Sequence, residues 1–237
     1  GPLKPADYIK GKGVVHHHHG HHDFRSNPES FREKYRALGR TNLLVSTPDL
    51  LKLLPEARWQ PNLVPIDDPL LTPMWGRFDD PGQLKVCHSP TRKDLKNTEE
   101  FLAAVQYVNR RNVYVSVDMI DDMPNHECLA RKRRCHALFD HMQGYYGVSS
   151  LEGLSQGLAV IAALDDWNRA RIAEFAGTDD LPWLTATNQD ELADLLLRLA
   201  KDREHCEQAG QAGRDFMEAC WSDRRIASAL ADYYASL

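Results

Sequence analysis

Gly144-Tyr145-Tyr146-Gly147-Val148-Ser149-Ser150-Leu151-Glu152-Gly153-Leu154-Ser155-Gln156-Gly157-Leu158-Ala159-Val160-Ile161 reads as a glycine-hinged loop that feeds a short helix and then a buried strand. Glycine lets a backbone approach a ligand closely, and the first N–H groups of a helix starting near Ser149 and Ser150 would point at an anion. Glu152 falls in the first turn, where a carboxylate suits the helix dipole and can accept hydrogen bonds from sugar hydroxyls. A loop, helix and strand of this kind also occurs in α/β domains at large, and a first-turn acid is often only a dipole partner. The weight of the stretch therefore depends on its neighbours.

The same beat repeats upstream. Leu84-Lys85-Val86-Cys87-His88 reads as a strand, followed by a loop to Lys96 and a helix from about Thr98 with Glu99 and Glu100 behind its cap. Val113 to Val117 reads as a strand of alternating β-formers, Asn125 to Arg134 as a helix, and Ala137-Leu138-Phe139-Asp140 as a short strand. Gly157 to Ala163 is another strand and Leu184-Thr185-Ala186 an edge strand. This alternation predicts a parallel sheet with helices on both faces. Asp190 to Leu199 predicts an amphipathic helix, and Arg203 to Leu237 is helical with a break near Trp221-Ser222-Asp223. Trp167, Trp183 and Trp221 fall between elements and are read as packing, and the run Arg131 to Arg134 as a solvated helix face.

Toward the front, Lys12-Gly13-Val14-Val15 runs into His16 to His19 and Gly20 as a strand entering a turn. Its six histidines within seven positions resemble a purification tag, but the valines before and Asp23-Phe24-Arg25 after favour a native strand. On a strand His17 and His19 would share one side and His16 and His18 the other, which splits the set between faces and argues against a dedicated metal site, although such a density would bind nickel or zinc adventitiously. Ser30 to Leu38 has helical spacing, Asn42 to Ser46 reads as a buried strand, and Thr47 to Leu51 as a turn into a small helix. The tract from Trp59 through Pro65, Pro69, Pro73 and Pro81 has linker composition. The expected organisation is a partial α/β domain with linker over 1–76, a Rossmann-like domain over 77–217, and a C-terminal helix over 218–237 returning to the N-terminal part.

The chain has 237 residues, 42% hydrophobic and 27% charged, which suffices for more than one core. A formal net charge of −5 argues against nucleic-acid partners while leaving room for a local basic phosphate site. No apolar run approaches the roughly 20 residues of a membrane span and no signal segment opens the chain, so a cytoplasmic location is expected. Five cysteines without CxxC spacing indicate neither a disulfide framework nor a zinc site. Gly1-Pro2-Leu3 matches a protease-cleavage scar and is set aside.

Taken in order, these segments resemble the GT-B glycosyltransferases, especially the retaining family four (glycosyl transferases group 1). Val14 to Arg25 is similar to that family's strand ending in histidine-glycine. Val45 to Leu50 is similar to the segment before its linker, and Trp59-Gln60-Pro61-Asn62 to the linker's opening. His88-Ser89-Pro90-Thr91-Arg92 through Lys96-Asn97-Thr98 resembles the loop with the family's arginine and lysine, Met123 to Glu127 the nucleobase-side loop, and Gly144 to Ile161 the donor-phosphate loop and helix. The resemblance implies a Rossmann-like parallel-sheet α/β domain of GT-B type with a partial second α/β domain, and transfer of a sugar from a UDP-, GDP- or TDP-linked donor to an unknown acceptor, with retention and without an obligatory metal or cofactor.

By the same resemblance, the donor is bound by Arg92, Lys96, Met123, Gly144, Tyr146, Gly147, Val148, Ser149 and Glu152. Catalysis falls to His19, facing the transferring sugar, and to Glu152, which matches the second glutamate of the family's pair and binds the ribose. A diphosphate leaving group calls for positive charge and oriented N–H groups where charge develops, which Arg92, Lys96 and the Gly147 to Ser149 backbone would supply. Where the first glutamate would stand, this chain has Gly144. Only about two strand-helix steps precede Trp59, fewer than the family's acceptor domain has. A fragment, a reduced protein, or completion by another copy or a partner subunit each fits that shortfall. A non-catalytic donor-binding module and a nucleotide-sugar epimerase on the same fold are the competing functions.

Overall fold

The computed structural model describes residues 15–18, 25–39, 41–79 and 82–236. The chain divides into two compact units, residues 1–63 with 223–237, and residues 64–222.

In the smaller unit β1 (His16–His18) runs parallel to β2 (Leu43–Val45), with His17 opposite Leu44. Helix α1 (Pro28–Ala37) joins them. Pro28 stands at its first positions, where a missing N–H costs nothing, and the Asn27 side chain caps it by accepting from the Ser30 N–H. A 3-10 turn (Pro48–Lys52) leads to β3 (Arg58–Trp59), parallel to β2 and too short to leave a periodic signal. Tyr35, Leu43, Val45, Leu50 and Leu54 close over one another as its core.

The larger unit contains β4 (Leu84–His88), α2 (Thr98–Asn109), β5 (Val115–Met119), α3 (Asn125–Lys132), β6 (Ala137–Phe139), α4 (Val148–Ser155), β7 (Ala159–Ile161), α5 (Asp166–Ala176), α6 (Gln189–Lys201) and α7 (Arg203–Cys220). Its four strands are all parallel in the order β5-β4-β6-β7. The two strands that follow β4 in sequence, β5 and β6, therefore lie on opposite sides of it, and the connections leaving β4 and β6 diverge. A crevice at the carboxyl ends of the strands is the geometric consequence of that reversal.

Side chains alternate between the two faces of the sheet. Val86, Ala137, Phe139, Ala159 and Ile161 meet Phe101, Ala104 and Val108 of α2 and Leu192, Leu196 and Leu199 of α6 in one buried cluster. Phe101 stacks on Phe139 with ring centroids 4.8 Å apart. On the opposite face α4 lies so close that a Cβ at Gly153 would stand 2.9 Å from Val160 and 3.1 Å from Leu138. Helix α7 covers α4 at equally short range, since a Cβ at Gly213 would stand 2.8 Å from Leu154, and one at Gly210 would collide with the carbonyl oxygen of Gly157 in the turn after α4. The expected α/β architecture, a parallel sheet with helices on both faces, is what the chain forms. Helix α8 (Asp223–Ala235) belongs to the smaller unit, where the Gln60 amide donates to the Ile226 carbonyl.

Several local expectations are corrected. The strand expected from Val113 starts at Val115, because the Asn109 carboxamide both accepts from the Val115 N–H at 2.7 Å and donates to its carbonyl, after a turn with Asn112 at φ 60°. Leu184 makes one bridge to Ile161 instead of an edge strand. Trp167 lies within α5, a helix unread in the sequence, not between elements. The basic run is not a uniform solvated face either: Lys132 is 2% exposed, since it shares the inner face of α3 with Leu129, one turn of which packs inward. Cys87, Cys135 and Cys206 are buried free thiols. No helix among the described residues is long and apolar enough to cross a membrane.

Candidate functional site

A cavity of about 880 Å3 opens beyond the carboxyl ends of β4 and β5. One wall is the loop after β4, Ser89 to Asp94, and the other the loop after β5, from Ile120 through Met123 to Asn125. Helix α3 contributes Cys128 and Lys132, and α4 contributes Val148 and Ser149 at its start and Glu152 one turn further on, because the helix begins at Val148 and leaves Glu152 beyond the first turn in which the sequence placed it. The cavity lies wholly within the larger unit, where the strand order places a crevice.

The amino end of α4 supplies directed donors. A helix leaves its first N–H groups without intrahelical partners. Here Gly147 N–H is taken by Asp140 Oδ2 at 2.6 Å and Ser150 N–H by the Gly147 carbonyl at 3.0 Å. Among the described residues, nothing accepts from the Val148 and Ser149 N–H groups between them, and both residues line the cavity.

Beside them is a buried polar network. The Lys132 ammonium donates to Ser149 Oγ at 2.8 Å and to Glu152 Oε2 at 2.6 Å, and the Ser149 and Ser89 hydroxyls meet at 2.9 Å. Burial alone would push the Lys132 ammonium down, but the charge and hydrogen bond of Glu152 together with the nearby Cys128 and Cys87 thiols outweigh it and hold this lysine above its usual value. Glu152 Oε2 is thus anchored, and among the described residues no donor reaches Oε1.

A second charged pair buttresses the loop before α4. Lys96 Nζ donates to Asp140 Oδ1 at 2.7 Å, and the Ser150 hydroxyl donates to Asp140 Oδ2 at 2.8 Å. Burial would raise the Asp140 carboxyl, but Lys96, His141 and the Ser150 hydroxyl together hold it well below the usual carboxylate range. Behind it, His88 Nδ1–H donates to the Phe139 carbonyl at 2.9 Å, a partner that can only accept, so Nε2 accepts from the Thr98 hydroxyl at 2.8 Å. Burial lowers the His88 pKa to about 4 and keeps the ring neutral.

The residues expected at the site are placed as follows. Met123, Val148, Ser149 and Glu152 converge on the cavity. Arg92 stands at its rim, exposed and paired with Asp94 at 2.6 Å, next to Lys93, which pairs with Asp121 across the mouth. Lys96 and Gly147 lie next to the cavity rather than in its lining, engaged with Asp140. Tyr146 is fully buried against Trp183 and Trp221, whose packing role is as expected. Gly144 has φ 88°, a conformation in which any side chain is strained, and its carbonyl accepts from Asp165 N–H and the Asn168 side chain. His19 lies outside the described residues. Lys132, Asp140 and Ser89 were not singled out by the sequence.

A second cavity, of about 450 Å3, lies in the smaller unit, where His17 and Ser46 meet Gln60, Asn62 and the Ile226 to Tyr234 face of α8. Its lining is mainly apolar.

Solved structures share this fold. An S. aureus TarM mutant in complex with fondaparinux, alpha-GlcNAc-glycerol and UDP superposes with a TM-score of 0.65 at 14% identity, over 85% of this chain and 46% of that one. The fold is that of the GT-B glycosyltransferases. Sucrose-phosphate synthase from Thermosynechococcus elongatus has the same GT-B frame with a TM-score of 0.64 at 14% identity, over 88% of this chain and 61% of that one. The pneumococcal O-GlcNAc transferase GtfA, in complex with UDP and GlcNAc, gives 0.59 at 9% identity, over 88% and 47%. The chain therefore spans 46%, 61% and 47% of these GT-B proteins, under two thirds of each. No family model and no curated protein matches the sequence.

Proposed function

We propose that this chain binds a nucleoside-diphosphate sugar in the cavity at the strand ends and serves sugar transfer from it, as a glycosyltransferase or the donor-side part of one. The observation that carries the reading is the junction of Val148 and Ser149 N–H groups, unclaimed among the described residues, with the anchored Glu152 carboxylate in a single cavity of a GT-B fold. Oriented N–H groups suit an anionic diphosphate, and Oε1 of Glu152 suits a pair of ribose hydroxyls. Arg92 at the rim is the exposed positive charge, while Lys96 acts on the phosphate loop through Asp140 and Gly147. Met123 and Ile120 give the base an apolar wall. Retention and participation of His19 are carried over from the family resemblance.

A donor-binding module without transfer is the second reading, favoured by Gly144: the family's sugar-facing glutamate cannot stand at a φ of 88° without strain. Incubation with UDP-, GDP- and TDP-linked hexoses separates the two. Release of the nucleoside diphosphate, with water or an added acceptor taking the sugar, is expected of the enzyme. Saturable binding without any release would establish the module, and neither binding nor release would overturn both.

A further inference from the structure

The cavity holds three cations of unequal standing. Arg92 and Lys93 have side chains 54% and 58% exposed and are engaged by Asp94 and Asp121, whereas the side chain of Lys132 is 2% exposed. A charge out of water acts on a neighbouring anion far more strongly than one screened by solvent. Lys132 reaches the cavity from α3 with one N–H on Ser149 Oγ and one on Glu152 Oε2, and its third neighbour is the Cys128 thiol, one helical turn back. A thiol is a weak acceptor, whereas a phosphate oxygen is a strong one for an ammonium donor. The ammonium also stands directly beside Ser149, whose N–H, with that of Val148, has no acceptor among the described residues.

We infer that Lys132 is the phosphate ligand of this site: held against Ser149 and Glu152 of α4, its ammonium meets the anionic oxygens of a nucleoside diphosphate with the N–H that those two leave over. This rests on the cavity binding such a nucleotide. It assigns Glu152 two tasks, fixing the lysine with Oε2 and taking the ribose with Oε1. It also explains why one member of a four-residue basic run is turned inward on α3.

The test is a calorimetric titration with UDP, GDP, TDP and ADP, and with the free nucleoside of whichever binds best, measured by competition. Four proteins are compared: wild type, Lys132→Met, Glu152→Gln, and the double variant, which keeps the buried pair neutral if the single Lys132 variant does not fold. Circular dichroism melting establishes that each is folded. Lys132→Met is expected to lose tenfold or more in diphosphate affinity while nucleoside affinity stays within about twofold, in line with one charge-assisted hydrogen bond. The double variant measured against Glu152→Gln should show the same selective loss. Equal losses for nucleoside and diphosphate would mean that Lys132 only holds α3 to α4, and no loss would leave it without a role in binding; either overturns the inference with the donor site intact. A folded wild type that binds none of the four nucleotides overturns both the inference and the donor site.

Discussion

Replacing Lys96 by Met should cost stability more than it costs binding. Asp140 is 3% exposed and Lys96 Nζ lies 2.7 Å from its Oδ1, so the substitution leaves a buried carboxylate facing a methyl group. Breaking a buried ion pair from one side costs about 3–5 kcal/mol. Asp140 keeps the Gly147 N–H and the Ser150 hydroxyl, and the Lys96 side chain is 19% exposed, which brings the expected loss to about 2–3 kcal/mol. For a chain of this length that is a fall in Tm of roughly 5–10 °C. The pH dependence gives a sharper signature. In the wild type the folded Asp140 pKa lies below the unfolded value, so its contribution is complete above the unfolded pKa of about 3.9 and is lost as pH falls through it toward the folded value. In the variant burial is no longer opposed by Lys96, the folded carboxyl takes up a proton more readily, and acidification relieves part of the damage. Urea unfolding of both proteins at pH 7.5 and 4.5 should show a deficit that narrows in acid. A deficit under about 0.5 kcal/mol at pH 7.5, or one equal at both pH values, would refute the reasoning.

Three further outcomes are expected. Gly210→Ala places a Cβ against the Gly157 backbone carbonyl, an unyielding neighbour, and should destabilise by about 3 kcal/mol, whereas Gly39→Ala at φ 60° with open space around it should cost about 1–2 kcal/mol from backbone strain alone; chemical denaturation compares them. His88 titrates at about 4 folded against about 6.5 unfolded, so the unfolded state binds the extra proton between those values and stability should fall by up to about 3 kcal/mol as pH drops through that window; His88→Gln, neutral throughout, should flatten the slope of stability against pH. Burial pushes the Cys128 thiol up and it lines the cavity, so its alkylation, followed by peptide mass spectrometry, should be slow at pH 7, accelerate as pH rises toward and above 9, and be suppressed by a bound nucleoside diphosphate. Unchanged labelling in saturating nucleotide would place the ligand elsewhere.

The elements that hold the site were legible because each carries a period and a punctuation mark. Leu84-Lys85-Val86-Cys87-His88 reads as a strand and Asn97-Thr98-Glu99-Glu100 as a helix start, and both are where the residues put them. The glycines around α4 likewise announced a tight loop and a helix packed hard on a strand. Helix α5 went unread because its apolar residues do not form one stripe, although the Asp165 cap, accepting from Asn168 N–H, and Gly177 at φ 78° bracket it at the two ends. Lys132 was concealed by its own neighbours: four basic residues in succession read as solvent-facing, and only the helical phase set by Leu129 shows that one of them turns inward. Asp140 needed the third dimension, since its partners come from residues 96, 147 and 150. Arg92 and Lys96, four apart on one loop, do not act together because the chain turns between them in a short 3-10 segment, leaving one at the rim and the other beneath the α4 loop.

The measurement that bears most directly on the donor site is calorimetric titration of the chain with UDP, GDP, TDP and ADP, beside Glu152→Gln, which keeps the shape of the side chain and removes its charge. Saturable binding of one nucleotide by the wild type, weakened at least tenfold in the variant, is the predicted result. A folded wild type that binds none of the four, or a variant that binds as tightly as the wild type, would contradict the placement of the donor against Glu152 and α4.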